Sequence, residues 1–305
     1  MSTFLSTFLN TISQADMDMA LVALTFHLGN LAFRSLAWRN VLGAAYPDRR
    51  VPLLGIAGAY AAGVAVNSFT PARGGDLAKI GLARTRIRDS SLATIGSSMA
   101  VVSALDAVIG VSLVLLLAGL GALPSPAGVP ALPASPGVVA DHAGAAIAVA
   151  TVLAAAAFVL GRRLTPRLVR LWQDVRRGVA ILSEPRRYVT EVMPVQLAAW
   201  GCRIGTAYFL LAALHVPASL TAALIVVLVG GISALVPTPG GVGTQQVLLA
   251  FLLQSTASTA TIVSFSVGMQ AAVTTLNLLI GLTAAMLMLR TLRPISAVRA
   301  LRQPA

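Results

Sequence analysis

The chain has 305 residues, of which 57% are hydrophobic and 10% are charged, and its mean hydropathy is +0.84. This composition excludes a water-soluble globular domain and predicts an integral membrane protein. The net charge of +12 would suggest a nucleic-acid partner in a soluble protein, but here the basic residues lie between apolar segments and report membrane topology. The apolar runs have the length of membrane helices and lack the alternation of an outer-membrane barrel, so the predicted fold is an all-α polytopic bundle.

The first predicted span covers residues 19–37 and lies between an acidic pair and a basic stretch. Because positive charge marks the cytoplasmic side of a membrane, this span is expected to enter from outside. His27, Asn30 and Arg34 share one helical face, which predicts a polar seam against other helices. Arg34 is expected in the last turn, with its guanidinium reaching the inner interface.

The next apolar run leads into a break between Asn67 and Asp76 that contains a proline and two adjacent glycines. Too few residues remain before Arg84 for a return crossing, since a span needs about twenty. We therefore predict a helical hairpin over residues 52–84 that enters from the cytoplasm and turns within the membrane. Non-helical backbone at that depth must be buried in protein or line a wet cavity.

The long span that follows carries Asp106 near its middle, and an intramembrane carboxylate needs a partner or a proton. Arg203 is expected at a similar depth, so the two residues are predicted as either a structural or a coupling pair. Residues 123–137 hold five prolines and no charge, which indicates an external linker. This linker separates two predicted membrane halves, residues 1–122 and 138–305.

An arginine-rich stretch follows the first span of the C-terminal half, with eight arginines in residues 162–187. Apolar residues recur there at helical spacing, which predicts an amphipathic helix over residues 164–183 on the anionic inner leaflet. Nucleic acid is not expected as a partner, because no aromatic interleaving or binding motif accompanies the arginines.

A second break, Val-Pro-Thr-Pro-Gly-Gly-Val-Gly, starts at Val236. Its prolines remove backbone donors and its glycines permit sharp turns. The apolar segment that follows is too short for a full crossing, so we predict a second hairpin over residues 220–254 that enters from the opposite face. Broken segments in corresponding positions of two halves point to a transport site between inverted-topology halves.

The last predicted span, residues 262–289, is followed by a tail that contains four arginines. The proposed external loops contain no Lys or Arg, which predicts a cytoplasmic C-terminus.

The residues around the two breaks form the predicted binding site. Each break precedes a helix whose first amides are unpaired and whose dipole is positive at that end, which favours an anion. Arg73 adds a guanidinium suited to bidentate phosphate binding. Asp76 and Lys79 share its helical face, so they would either orient the anion or form a salt-bridge seam within the hairpin. The predicted binding residues are Asn67, Arg73, Gly74, Gly75, Asp76, Lys79, Pro239, Gly240, Gly241, Gly243 and Gln246.

Catalytic motifs are absent from the sequence. It contains no recognisable set of nucleophile, base and orienting residue, no Walker loop, no metal-binding motif and no dinucleotide fingerprint. We therefore predict no catalytic residue, no metal and no cofactor.

The motif from Asn67 to Asp76, followed by Pro-Thr-Pro-Gly-Gly-Val-Gly from Pro237, resembles the lysylphosphatidylglycerol synthase transmembrane (flippase-like) family. The resemblance covers nearly the whole chain. It implies a multi-pass bacterial inner-membrane protein that moves, or helps to make, a lipid with an anionic or aminoacylated head group. Other members are linked to polyprenyl-phosphate or hopanoid metabolism, so the implied partners are an anionic or aminoacylated phospholipid or a polyprenyl phosphate. Assembly with a second copy of the chain is left open.

Two positions depart from the family pattern, which usually has Glu at the positions of Asp76 and Gln246. The second change removes a carboxylate and weakens any role for the second hairpin in binding a cationic head group or a proton. The spans and short loops use all 305 residues, so no soluble aminoacyl-transferase domain is expected. The main hypothesis is a flippase-like lipid transporter; the alternatives are a lipid-modifying membrane enzyme, with Asp76 or Asp106 as base, and an accessory subunit.

Overall fold

The structure, a computed structural model, describes the chain in several stretches. These are residues 14–70, 74–122, 169, 171–234, 236, 238 and 241–289. Within them the chain forms helices joined by turns and contains no strand, which confirms the predicted all-α fold. The predicted external linker and the C-terminal arginines lie outside the described residues.

The helices that carry the described fold are named α1 to α8 in chain order. They are α1 (Met17–Ala45), α2 (Leu53–Asn67), α3 (Gly75–Arg84), α4 (Leu92–Gly119), α5 (Met193–Ala213), α6 (Leu220–Ser233), α7 (Thr244–Leu252) and α8 (Thr259–Leu289). Among the described helices, α1, α4 and α8 are long and apolar enough to cross a membrane, whereas α2 and α6 are apolar but shorter. The chain is therefore a polytopic membrane protein in which two apolar helices stop early.

Helix α1 continues to Ala45, well beyond the predicted end of the first span at residue 37. Arg34 consequently lies near the middle of the helix, about 16 Å from its C-terminus at about 1.5 Å per residue. The prediction of Arg34 in the last turn was wrong because hydropathy marks only the apolar part of a helix. Beyond residue 37, Arg39 and Asn40 stabilise the end of α1 by donating hydrogen bonds to backbone carbonyls outside the helix.

One end of the bundle, here called the opposite end, brings together the start of α1 and the end of α5. The Asp16 backbone N–H donates to the Ala213 carbonyl at 2.9 Å, and Leu214 lies against Gly268 of α8. The described segments at this end contain no Lys or Arg: residues 14–20, 118–122, 213–220 and 252–260.

The other end, here called the basic end, is tied together by arginines. Arg49, in the turn between α1 and α2, donates to the carbonyls of Arg88 and Asp89 in the turn between α3 and α4. Arg86 in that second turn donates to the Met288 carbonyl near the end of α8. The described helices therefore run between one arginine-rich end and one end without basic residues.

The middle of each short apolar helix is enclosed by the rest of the bundle. Residues 59–63 of α2 and 222–229 of α6 are uninterrupted runs of buried positions. Helix α2 starts at the basic end, beside Arg86, and α6 starts at the opposite end, so their breaks are approached from opposite directions. The middle of each helix is therefore buried in protein before the chain reaches its break.

The described part of the predicted amphipathic helix is helical over residues 171–178 and leads through irregular turns into α5. It packs closely on α4, because a Cβ at Gly178 would lie 2.3 Å from the Thr94 carbonyl oxygen. Trp172 is 67% exposed on this segment, as an aromatic residue at a membrane interface can be. Arg187 follows, and its hydrogen bond to Glu191 raises the pKa of the guanidinium above its ordinary value.

Candidate functional site

Two glycines bring α2 and α3 into backbone contact at the first break. A Cβ at Gly75 would lie 2.1 Å from the Gly63 carbonyl oxygen, and a Cβ at Gly63 would lie 2.7 Å from the Gly75 carbonyl oxygen. No side chain fits at these distances, so both positions require glycine. Gly74, the predicted binding residue before this contact, is the N-cap of α3.

Asn67, Asp76 and Lys79 form a hydrogen-bonded group at the turn of the first break, here called the clasp. The Asn67 Oδ1 accepts from the Gly75 N–H at 2.7 Å, and its Nδ2 donates to Asp76 Oδ1 at 3.0 Å. The Lys79 Nζ donates to the same carboxylate oxygen at 2.8 Å, although Lys79 is only 2% exposed. Its ammonium also lies 4.3 Å from the centre of the Tyr60 ring, a cation–π distance.

The clasp unites three of the predicted binding residues of the first break and forms the salt bridge that the sequence offered as one interpretation. A buried ammonium is tolerated because a carboxylate and an aromatic face compensate its lost hydration. Arg73 lies outside the described residues, and so do Pro239 and Gly240 of the second break. Their predicted roles remain predictions.

The second break turns on two glycines in a backbone conformation that other residues rarely adopt. Gly241 has φ +74° and Gly243 has φ +84°, and α7 begins directly after them. Gln246 stabilises this start, because its Oε1 accepts from the Gly243 N–H at 2.7 Å. Its Nε2 donates to the Gln270 Oε1 of α8 at 2.8 Å, so the amide that stands in place of a carboxylate makes a neutral contact.

Two hydroxyl groups beside the second break are buried and have no hydrogen-bond partner in the described structure. They are Ser233 Oγ at the end of α6 and Thr238 Oγ1 within the break. A Cβ at Gly241 would lie 3.2 Å from the Ser233 Cβ, so the turn passes directly over the end of α6. Since an unpaired buried hydroxyl is costly, these groups are suited to hydrogen-bond a ligand that enters the break.

Asp106 lies at the centre of a group formed with Arg34, Gln196 and Trp200, here called the central knot. The Arg34 guanidinium donates to both carboxylate oxygens, at 2.8 and 3.0 Å. The Gln196 Nε2 and the Trp200 Nε1 both donate to Oδ1, at 2.7 and 2.8 Å. Asp106 on α4 is thus bound to α1 and α5, which belong to different predicted halves.

The sequence placed Asp106 and Arg203 at similar depth, and in the structure each of them has other partners. Arg203 instead donates to the Val227 carbonyl of α6 at 3.1 Å and lies over the Trp200 ring, 5.3 Å from its centre. Similar depth in the membrane does not fix which face of a helix a side chain occupies, so the pairing of Asp106 with Arg203 remains a prediction. Arg203 is directed toward the helix that leads into the second break.

Helix α8 contacts both breaks along one side. Gln270 binds Gln246 of the second break, and a Cβ at Gly281 would lie 2.3 Å from the Ala65 Cβ, two residues before the end of α2. Between them, Asn277 Oδ1 lies 2.8 Å from the His27 Nε2 of α1. The two contact levels are eleven residues apart, or about 16 Å at about 1.5 Å per residue.

The polar groups of the site are arranged to donate and accept hydrogen bonds. The hydrogen-bonding positions of Asp106 are taken by protein donors, and Asp76 binds both Asn67 and Lys79. Within the described residues, no group of three His, Cys, Asp or Glu side chains is placed to hold a metal ion. The site therefore offers buried charge, glycine turns and unpaired hydroxyls.

Sequence reasoning missed Tyr60, Gln196 and Trp200 as site residues. Each stands alone in an apolar helix, where a single aromatic or amide side chain predicts packing as readily as function. The only available signal was the need of Asp106 for partners, and it did not specify which.

A family model described as "Lysylphosphatidylglycerol synthase TM region" matches residues 2–281 of the chain. Comparison with curated proteins and with solved structures returned no match. The family match confirms the resemblance that the motifs around the two breaks predicted.

Proposed function

Since the chain belongs to the lysylphosphatidylglycerol synthase TM region family, we propose that it is a flippase-like transporter of a lipid with a phosphate-containing or aminoacylated head group. The family links it to membrane phospholipids and to the modification or transport of their head groups. In our proposal the head group crosses the membrane between the two breaks, held by the clasp and Arg73 on one side and by Gly240, Gly241 and Gly243 on the other.

The observation that most supports this proposal is the clasp at the first break. Lys79, which is 2% exposed and paired with Asp76, lies where the apolar helix α2 ends early. The second apolar helix that ends early, α6, starts from the other end of the bundle. Charged groups within a membrane mark substrate or ion pathways by default. Broken helices in corresponding positions mark transport sites, and on this basis we also propose that the halves have inverted topology.

We propose that the basic end faces the cytoplasm of a bacterial cell, with the C-terminus on that side, because positively charged turns remain inside. In a Cys202→Ala background, a cysteine at Ser258 is expected to react with an impermeant thiol reagent applied to whole spheroplasts. A cysteine at Arg176 is expected to react only after lysis, and both native side chains are exposed in the structure. Labelling of Arg176→Cys in intact spheroplasts would reverse the proposed orientation.

The test of function is lipid translocation by purified protein in liposomes without any co-substrate. Fluorescent phosphatidylglycerol is expected to become accessible to dithionite from both leaflets, and lysyl-phosphatidylglycerol serves as the second probe.

Arg73→Lys keeps the charge but loses the planar fork, so it should slow translocation about tenfold or more if a phosphate is held bidentately. Arg84→Lys, at an exposed position of α3, should be silent. If the wild-type protein translocates neither probe, the result would favour a lipid-modifying enzyme or an accessory subunit.

Gly241→Ala tests whether the second break requires its glycine. The new methyl group would stand at φ +74° and 3.2 Å from the Ser233 Cβ. We expect a loss of about 1 kcal/mol or more in folding free energy and loss of lipid translocation. Gly119→Ala, in a helical position with no atom within 4 Å of the added Cβ, should leave both the melting temperature and the translocation rate unchanged. Equal tolerance of both substitutions would remove the second break from the site.

A further inference from the structure

We propose that Asp106 is a positioning residue that couples the two breaks, so that a change of conformation at one is transmitted to the other through the central knot. The inference rests on the proposed function for its purpose, because transport between two breaks requires them to move in concert. The coupling itself can be measured without any transport.

The central knot is built from charge-assisted hydrogen bonds between three helices. Asp106 receives four hydrogen bonds, two from the Arg34 guanidinium and one each from Gln196 and Trp200. Gln196 is fully buried, and Trp200 is 7% exposed. Such bonds are short, directional and stronger in a low-dielectric interior than in water, so the knot fixes α4 against both α1 and α5.

Helix α1 links the knot to the first break. One turn beyond Arg34 on α1, the Trp38 ring lies edge-on to the Tyr60 ring of α2, with 6.3 Å between the ring centroids. The Tyr60 ring receives the Lys79 ammonium at 4.3 Å, and Lys79 binds Asp76 of the clasp. Displacement of α1 at Arg34 would therefore change the surroundings of the clasp through Trp38 and Tyr60.

A second set of contacts leads from the knot to the second break. Trp200, which donates to Asp106, supports the Arg203 guanidinium on its ring. Arg203 donates to the Val227 carbonyl of α6, and a Cβ at Gly230, one turn further along, would lie 3.5 Å from its Nη2. The end of α6 and the turn at Gly241 follow directly.

The knot contains a feature suited to a two-state element. The Gln196 Oε1 is buried without a hydrogen-bond partner among the described residues, while its Nε2 donates to Asp106. An unsatisfied buried acceptor is costly, so an arrangement that gives this oxygen a donor would offset the loss of a bond to Asp106. Coupling between distant sites requires a connecting element with two such arrangements.

The experiment is a double-mutant cycle read by cysteine labelling. In a Cys202→Ala background, Val242→Cys reports on the second break, where the native side chain is 58% exposed. Asn67→Ala perturbs the first break without changing charge, because it removes the two hydrogen bonds that Asn67 makes to Gly75 and Asp76. We expect Asn67→Ala to change the labelling rate of Val242→Cys by about twofold or more, as for residues coupled in one network.

The two hydrogen bonds from α5 to Asp106 are then removed with Gln196→Leu and Trp200→Phe, which leave the pair of Arg34 and Asp106 intact. Trp200→Phe alone is the milder version if the double variant does not fold. In either background the response to Asn67→Ala is expected to shrink or vanish. The matched control, Tyr46→Phe, removes another hydrogen bond of a buried aromatic side chain between the ends of α1 and α4, which the Tyr46 hydroxyl accepts from the Ser91 N–H at 3.1 Å.

The control background should retain the full response, since its hydrogen bond lies within one half. A response that persists after the knot is cut, or that is lost equally in the control, would overturn the inference, and so would the absence of any response in the parent. Labelling does not depend on translocation, so a coupled protein that moves no lipid would contradict the proposed function while leaving this inference in place.

Discussion

Replacing Asp106 with alanine is expected to lower the free energy of unfolding by about 3–5 kcal/mol, the usual cost of removing one partner of a buried ion pair. The Arg34 side chain is only 13% exposed, and its guanidinium makes both of its hydrogen bonds in the central knot to Asp106. Without that carboxylate, Arg34 would keep a positive charge in a desolvated site, and Gln196 and Trp200 would lose an acceptor. The measurement is thermal unfolding of the purified variant in detergent.

The double variant Arg34→Met with Asp106→Leu separates the cost of an unpaired charge from the loss of a favourable contact. Apolar replacement of a whole buried pair is often neutral, so the double variant should recover much of the stability that Asp106→Ala loses. Asp48→Ala, at an exposed position near the basic end, controls for the loss of an aspartate and should be silent. If the single and double variants lose the same stability, the pair contributes no more than packing.

Gly75→Ala is expected to open the first break, because the added methyl group would meet main-chain atoms of α2. Its Cβ would lie 2.1 Å from the Gly63 carbonyl oxygen and 2.6 Å from the Asn67 nitrogen. Backbone atoms cannot rotate away as a side chain can, so α2 and α3 would have to separate, at about 1–3 kcal/mol or more. The separation would also break the hydrogen bond from Gly75 to Asn67 and with it the clasp.

Gly81→Ala is the matched control in the same helix, since a Cβ there has no atom within 4 Å. It should match or slightly exceed the wild type in melting temperature, because alanine favours a helix over glycine. The unfolding temperature and the rate of lipid translocation should both fall in Gly75→Ala. Neither should fall in Gly81→Ala. Normal stability and translocation in Gly75→Ala would show that α2 and α3 do not touch as described.

The sequence predicted the features that depend on local chemistry. Prolines and glycines predicted breaks just after the points where α2 and α6 end, at Asn67 and Ser233. A three-residue interval predicted that Asp76 and Lys79 could meet on one face of α3. The excess of glycine in the second break indicated a special backbone, and Gly241 has the positive φ that explains it. These properties are set within a few residues of chain.

The features that the sequence did not predict depend on how helices rotate and pack. Arg34 was expected at the inner interface, yet α1 runs on past the apolar segment and places the side chain beside Asp106. Hydropathy gives the depth of a segment but not the direction in which each side chain points. The partners that Gln196 and Trp200 supply from the other half depend on tertiary packing, which a pattern of single polar residues does not specify.

The most direct test of the central claim is an experimental structure of the protein in nanodiscs that contain phosphatidylglycerol, with head-group density located. We expect a head group between the two breaks, within hydrogen-bonding distance of the clasp or of the Ser233 and Thr238 hydroxyls. Arg73→Lys, prepared in the same way, should weaken that density. Phosphate density found only against the arginines of the basic end, with both breaks closed on protein, would contradict a transport site between the breaks.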